Sequence, residues 1–345
     1  MAFTVYDFAI IGAGAAGLHL AHAMVADDWF ANKSILILEK DAKDVDDRTW
    51  SFWEKGVGKW DHLLAKSWKK GLFNTSKKSV KLDLAPYQYK TLPSINFYKY
   101  GKEVLAEAQN VTWIKEEVQK VTTAEGQVII EGKVASYAAR QVFDSRIDVN
   151  FDKAKDSYYR VLQHFKGWVI ETKKPVFDTD TFVMMDYQVK WKNSTSFTYV
   201  LPITPHKAMI EFTLFNLEFI ESEEYDELLK KYIKEILQIE EYTIEKVEYG
   251  VIPMSNYPFH RANRQAITKI GTAGSWVKPS SGYAFKNIEK MAGKVVANIK
   301  RGKAPDTKLL NPRFRAYDTL YLGVLSKYND WGEQLFADMY TNNSI

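Results

Sequence analysis

"YDFAIIGAGAAGLHLAHAM", residues 6–24, decides the fold. Phe8 to Ile11 form a short apolar run of the buried parallel-strand type. Gly12, Gly14 and Gly17 follow as G-x-G-x-x-G, and an apolar helical stretch begins near Ala15. The chemistry assigns each glycine a task. Gly12 allows the tight turn, Gly14 lets a pyrophosphate approach the backbone, and Gly17 lets helix and strand pack closely. The helix then points its first amides and its dipole at the phosphates. A second strand, "SILILEK" (34–40), ends on Glu39, 22 residues beyond Gly17, where a carboxylate can accept from ribose hydroxyls. Glu39 would repel a 2′-phosphate at that place. The uncharged run Phe8–Ala26 has the length of a membrane span, but its spaced glycines and the preceding Asp7 fit a nucleotide turn better. No basic segment precedes it, so it does not read as a signal peptide.

Outward from this turn, the chain of 345 residues is long enough for two lobes. Its 46% hydrophobic and 26% charged content excludes a disordered or fibrous protein. With no cysteine, disulfides, thiolate metal sites and cysteine nucleophiles are excluded. A net charge of +4 would favour an anionic membrane surface but is too weak and dispersed for nucleic acid. The 20 Tyr, 19 Phe and 10 Trp suit either a bulky core or a cavity for a large apolar ligand. Among the six histidines only His19 and His22 have ligand spacing, with no accompanying carboxylate, so no metal is expected.

Strand-like runs are expected near 80–84, 95–98, 111–114, 127–130 and 139–143, then at 168–172, 182–190, 196–203 and 208–215. Helices are expected at 100–108, 222–237, 282–300 and 311–340. The fold class is α/β: a discontinuous Rossmann-type nucleotide domain (1–55, 95–155, 260–305), an inserted antiparallel substrate domain (56–94, 156–259) and a C-terminal helical segment (306–345). Within the insert, "HKAMIEFTLFN" (206–216) places Glu211 among Met209, Ile210, Phe212, Leu214 and Phe215. Burying a carboxylate is expensive unless it is paired or neutralised. Either Glu211 faces solvent, or it pairs with Lys190 or Lys207, or it is held protonated for use. Asp186, in "MMDYQV", is a second carboxylate in apolar surroundings that could orient Glu211, share its proton or cap a strand end.

Several segments together resemble the bacterial lycopene cyclases, members of the FAD-dependent oxidoreductase class. These are "DRTWSFW" (47–53), "VFDSR" (142–146), "TSFTYVLPITPHKAMIEFTLF" (195–215), "GVIPM" (250–254), "IGTAGSWVKPSSGYAF" (270–285) and "RFRAYD" (313–318). The resemblance implies a fold like that of glutathione reductase and p-hydroxybenzoate hydroxylase. It implies cyclisation of lycopene ends to β-rings, giving γ- and β-carotene, with reduced FAD as cofactor and NAD(P)H as its reductant. It further implies a protein lying on the inner face of the cytoplasmic membrane, with more helices after 331–345 than this sequence carries. By the same resemblance Glu211 is the general acid or acid/base. Gly12, Gly14, Gly17, Glu39, Arg48, Asp144, Gly271, Gly274, Gly282 and Tyr283 would hold FAD. Trp50, Phe52, Trp53, Tyr199 and Pro202 would line the cavity, or serve as core. A buried carboxyl stays protonated near neutral pH, which an acid facing an alkene needs. Three rival readings share these features: a flavin monooxygenase or halogenase, an isoprenoid or carotenoid reductase, and a carotenoid-carrying flavoprotein without turnover. A halogenase-type W-x-W-x-I-P motif is absent from the sequence.

Overall fold

In the computed structural model, which describes residues 4–148, 150–154 and 157–342, the run Phe8–Ile11 is the buried half of the strand Val5–Ile11. It pairs in parallel with Ile35–Glu39 on one side and Ser136–Asp144 on the other. Val111–Lys115 and Ile267–Lys269 extend the parallel set, and Gln127–Gly132 with Val118–Ala124 adds an antiparallel flank. The helices Ala15–Val25 and Phe285–Lys300 cover one face, where Ile10, Leu18, Ile37, Met291 and Val295 share a core.

A second sheet of seven strands runs in the order Thr243–Ser255, Arg160–Glu171, Lys207–Asn216, Thr195–Thr204, Thr181–Asp186, Lys70–Asn74, Ser79–Asp83. Every neighbouring pair is antiparallel except Thr181–Asp186 with Lys70–Asn74. Its two faces follow the period-two alternation of a strand. Ala208, Ile210, Phe212 and Leu214 pack with Tyr225, Leu229 and Ile233 of the helical run that starts at Ser222. Met209 and Phe215 turn the other way, into a core with Phe182, Met185 and Leu322.

A small third sheet, Thr49–Lys55, Tyr87–Pro93 and Lys66–Trp68, lies between these bodies. Trp50 and Phe52 face the nucleotide side, 5.3 and 5.0 Å from the Phe285 ring. Trp53 and Tyr89 face the second sheet, where Tyr89 stacks 4.5 Å from Phe182. The wholly buried Lys90 is neutralised by Glu54 at 3.0 Å and Asp61 at 2.6 Å. Thr49–Lys55 pairs with Tyr87–Pro93, so this sheet straddles the boundary placed at residue 55 from sequence.

Several elements differ from the sequence expectation, among them the strands Thr49–Lys55, Lys66–Trp68, Lys70–Asn74, Tyr87–Pro93 and Val118–Ala124, which it does not include. Residues 95–98 are not a strand but part of the helix Ser94–Glu107, whose buried Phe97, Tyr98, Gly101 and Leu105 recur at helical spacing. The longest strand, Thr243–Ser255, was not anticipated. The helical run 311–340 is two helices, Pro312–Lys327 and Gly332–Asn342. Asn329 breaks it by accepting the Thr195 amide at 2.9 Å and donating to the Phe215 carbonyl. Residues 343–345 of the expected C-terminal segment lie outside the described residues.

Candidate functional site

The glycine turn is shaped to admit an anion. Gly12 has φ +94, and a Cβ there would meet Ser145 Oγ at 2.1 Å; a Cβ on Gly17 would lie 1.9 Å from the Gly12 carbonyl oxygen. In front of Gly14 nothing lies within 4 Å, and this helix start has no side-chain cap. Open space and uncapped amides at a helix N-terminus fit a phosphate. Glu39 is buried beside the turn, its carboxylate accepting from Ala13 N at 2.5 Å and Asp41 N at 2.9 Å. Gly271 and Gly274 bound a short turn against the same helix; a Cβ on Gly271 would lie 3.0 Å from Ala16 Cβ.

Two expected cofactor residues carry other contacts. Burial alone would push the Asp144 carboxyl up, but Arg146, in two side-chain hydrogen bonds and one from its amide, each 3.0 Å, and Lys269 at 3.0 Å hold it below the usual range. Asp144 thus ties strand ends together. Arg48 is exposed and pairs with Asp47 at 3.0 Å.

A cavity of about 780 Å³ opens between the second and third sheets, the segment leading into Phe285–Lys300 and the C-terminal helices. Met184, Met185, Tyr199 and Phe215 come from the second sheet, and Phe52 and Trp53 from the third. The loop before Phe285–Lys300 supplies Tyr283, whose hydroxyl is 3.3 Å from that of Tyr89. Tyr321, Phe336 and Tyr340 close the far side. Burial raises the phenols of Tyr199 and Tyr283 well above their ordinary range, so both stay neutral. Gly282 has φ +69 and faces Ile252 and Gln163; Thr272 and Ser275 join the cavity wall, which brings the 271–285 segment to both the glycine helix and the cavity. Lys278, unassigned from sequence, pairs with Asp318 at 2.5 Å and fixes this loop to Pro312–Lys327. Trp50 and Pro202 lie outside the cavity lining: Trp50 packs edge-on to Phe97 and Tyr98, and the Pro202 carbonyl accepts from Trp68 Nε1 at 3.2 Å.

Glu211 is not itself among the residues that line the cavity, but it lies on the face of its strand that turns Phe215 into it. Its cross-strand neighbours are Tyr199 on one side and Gly167 on the other, and Gly167 is opposite Glu248. Thr213 Oγ1 donates to Glu211 Oε1 at 3.0 Å. Enclosure by protein, then the nearby Glu248, raise the Glu211 carboxyl to about 8, against a small opposing effect of Thr213. The expected lysine partners are engaged elsewhere: Lys207 with Glu245 at 2.6 Å and Lys190 with Glu333.

Asp186 does not meet Glu211. It pairs across with Thr198, which is in register with Phe212, so it faces the helix-covered side. There it accepts from Tyr232 OH at 2.9 Å, Asn74 Nδ2 at 2.8 Å and the Gln188 amide at 3.0 Å. The carboxylate that does approach Glu211 is Glu248, which the sequence reading missed. A glutamate two residues before a strand glycine, in "EYGVIPM", was the available signal.

A family model described as "Lycopene cyclase protein" matches residues 7–340. Similar solved structures include a geranylgeranyl bacteriochlorophyll reductase-like protein from Thermoplasma acidophilum, at 12% identity and TM-score 0.72, covering 100% of this chain and 93% of that one. The flavin-dependent brominase Bmp2 shares 12% identity at TM-score 0.65, over 97% of this chain and 90% of that one. HpxO from Klebsiella pneumoniae, complexed with FAD, shares 14% at TM-score 0.63, over 98% and 94%. At these identities the likeness is one of fold, that of the FAD-dependent oxidoreductases and monooxygenases. Among curated protein sequences no match was found.

Proposed function

Because the chain belongs to the lycopene cyclase family, we propose that it closes the linear ends of lycopene into β-rings by proton transfer, with no net oxidation or reduction. The observation that carries this reading is the placement of Glu211, beside Tyr199 and on the strand face that turns Phe215 into the cavity, where burial and then Glu248 raise its carboxyl to about 8. An alkene is a very weak base, so it needs a neutral acid held against it in a dry site. Glu211 donates its proton to the terminal C=C, and a tertiary carbocation forms. The next double bond attacks it, closing a six-membered ring. Loss of a ring proton to the carboxylate left at Glu211 gives the β-ring and restores the acid. The faces of Trp53, Phe52 and Tyr199 stabilise the cation in passing.

The cofactor in this reading is FAD, reduced at the expense of NAD(P)H. The open space over Gly14, the buried Glu39 and the Gly271–Gly274 turn fit its phosphates and ribose, and Gly282 and Tyr283 would hold its ring. When bound and reduced, the flavin supplies fixed negative charge next to the developing cation. The substrate resides in a bilayer, and no helix among the described residues is long and apolar enough to cross one. Phe314, Tyr317 and Leu320, exposed by 60%, 58% and 70% along one stripe of Pro312–Lys327, are the contact to the inner face of the membrane. Phe314 and Tyr317 also line the cavity.

The test is anaerobic. Protein with chemically pre-reduced FAD is given lycopene in liposomes, and pigment mass and flavin spectrum are followed. The expected product has unchanged mass and shorter-wavelength absorption, with the flavin still reduced. A gain of hydrogens with flavin oxidation would establish a reductase instead.

A further inference from the structure

We propose that Glu248 is a positioning residue for Glu211, a fixed anion that acts through the gap left by Gly167 and keeps the proton on the acid. Glu211, Gly167 and Glu248 occupy one cross-strand row on three adjacent strands. A glycine weakens the middle of a strand and implies close approach by another group. Here a Cβ on Gly167 would lie only 3.3 Å from Glu211 Cβ, so any side chain would fill the space between the two carboxylates.

The surroundings set the sign. Glu248 is buried and accepts at Oε1 from Lys246 Nζ at 2.6 Å and Thr49 Oγ1 at 2.7 Å. Lys246 is shared with Asp46 at 2.5 Å. Two carboxylates divide one ammonium, so the cluster keeps a net negative charge towards Glu211. The other titratable groups that feel Glu211 are phenols: Tyr199 on the neighbouring strand, Tyr89 from the third sheet and, on the opposite face of its own sheet, Tyr225. Their protons are held by burial, so none offers a competing charge. A like charge nearby disfavours ionisation of a carboxyl. Glu248 adds to the effect of burial, which is the larger one.

The proposal rests on the reading of Glu211 as the acid, and the test separates the two. In the full-length flavoprotein, the infrared carbonyl band that disappears in Glu211→Gln is titrated without substrate. In Glu248→Gln its midpoint is expected about one pH unit lower, with the alkaline limb of turnover displaced in the same direction. In Lys246→Gln, which leaves the carboxylates uncompensated, the midpoint moves up. Unchanged midpoints in the variants that retain flavin would overturn the proposal. Shifted midpoints support it, even where Glu211→Gln still cyclises lycopene at the native rate; that result would overturn the acid assignment alone.

Discussion

Glu211 should show its raised proton affinity in two independent measurements. Glu211→Gln is expected to retain flavin and lose turnover by ~10²–10⁴-fold, the usual contribution of a general acid. In the wild type, turnover should fall as pH rises through about 8, because the active form is protonated. Stability carries the same sign. Between the unfolded value of 4.5 and about 8 the folded state binds the extra proton, so stability declines as pH rises. The thermal midpoint of the wild type should therefore drop relative to Glu211→Gln over that window. Asp186→Asn has another outcome. It disturbs hydrogen bonds to Tyr232, Asn74 and Gln188, so stability should fall by about 1–3 kcal/mol, with kcat per folded molecule unchanged. In the sequence both carboxylates look alike, each set among apolar neighbours. What separates them is a register irregularity between Val183 and Asp186, which leaves Met184 and Met185 both on the cavity wall and turns Asp186 to the opposite face. A bulge depends on the partner strand, so no local pattern announces it.

The glycine turn was the most legible element, because three demands of backbone geometry fall on three fixed positions. They should separate on mutation. Gly14→Val meets open space and changes only a helix cap, at about 1 kcal/mol, yet it fills the proposed phosphate position. A folded protein without yellow colour is expected by absorbance. Gly17→Ala drives a Cβ against the Gly12 carbonyl; the backbone must move, and the thermal midpoint should fall by the equivalent of ~2 kcal/mol or more. The strand Thr243–Ser255 was illegible for the opposite reason. It borders the second sheet with Arg160–Glu171 as its neighbour, so Val247, Tyr249 and Val251 are exposed where a half-buried strand would carry polar residues. Alternation of apolar and polar residues, the usual signal, is therefore blurred.

The cavity belongs to no single sheet, and its entrance depends on the last helices. Leu320→Glu, outside the cavity lining, should weaken co-sedimentation with anionic vesicles while turnover of detergent-dispersed lycopene persists. The sequence announced helices here but not their break at Asn329, which is set by contacts to Thr195 and Phe215, strands more than a hundred residues away. The first sheet is discontinuous in the same way: Ile267–Lys269 pairs with Ser136–Asp144, and Phe285–Lys300 covers the glycine helix. On the ribosome this has a cost in time. The apolar side of Ala15–Val25 emerges early and waits for its partner helix, some 275 residues later. At synthesis rates of ~5–20 residues per second, the wait is roughly 15–55 seconds. The nascent chain is thus a natural client for chaperones, and their co-expression should raise the yield of cofactor-loaded protein.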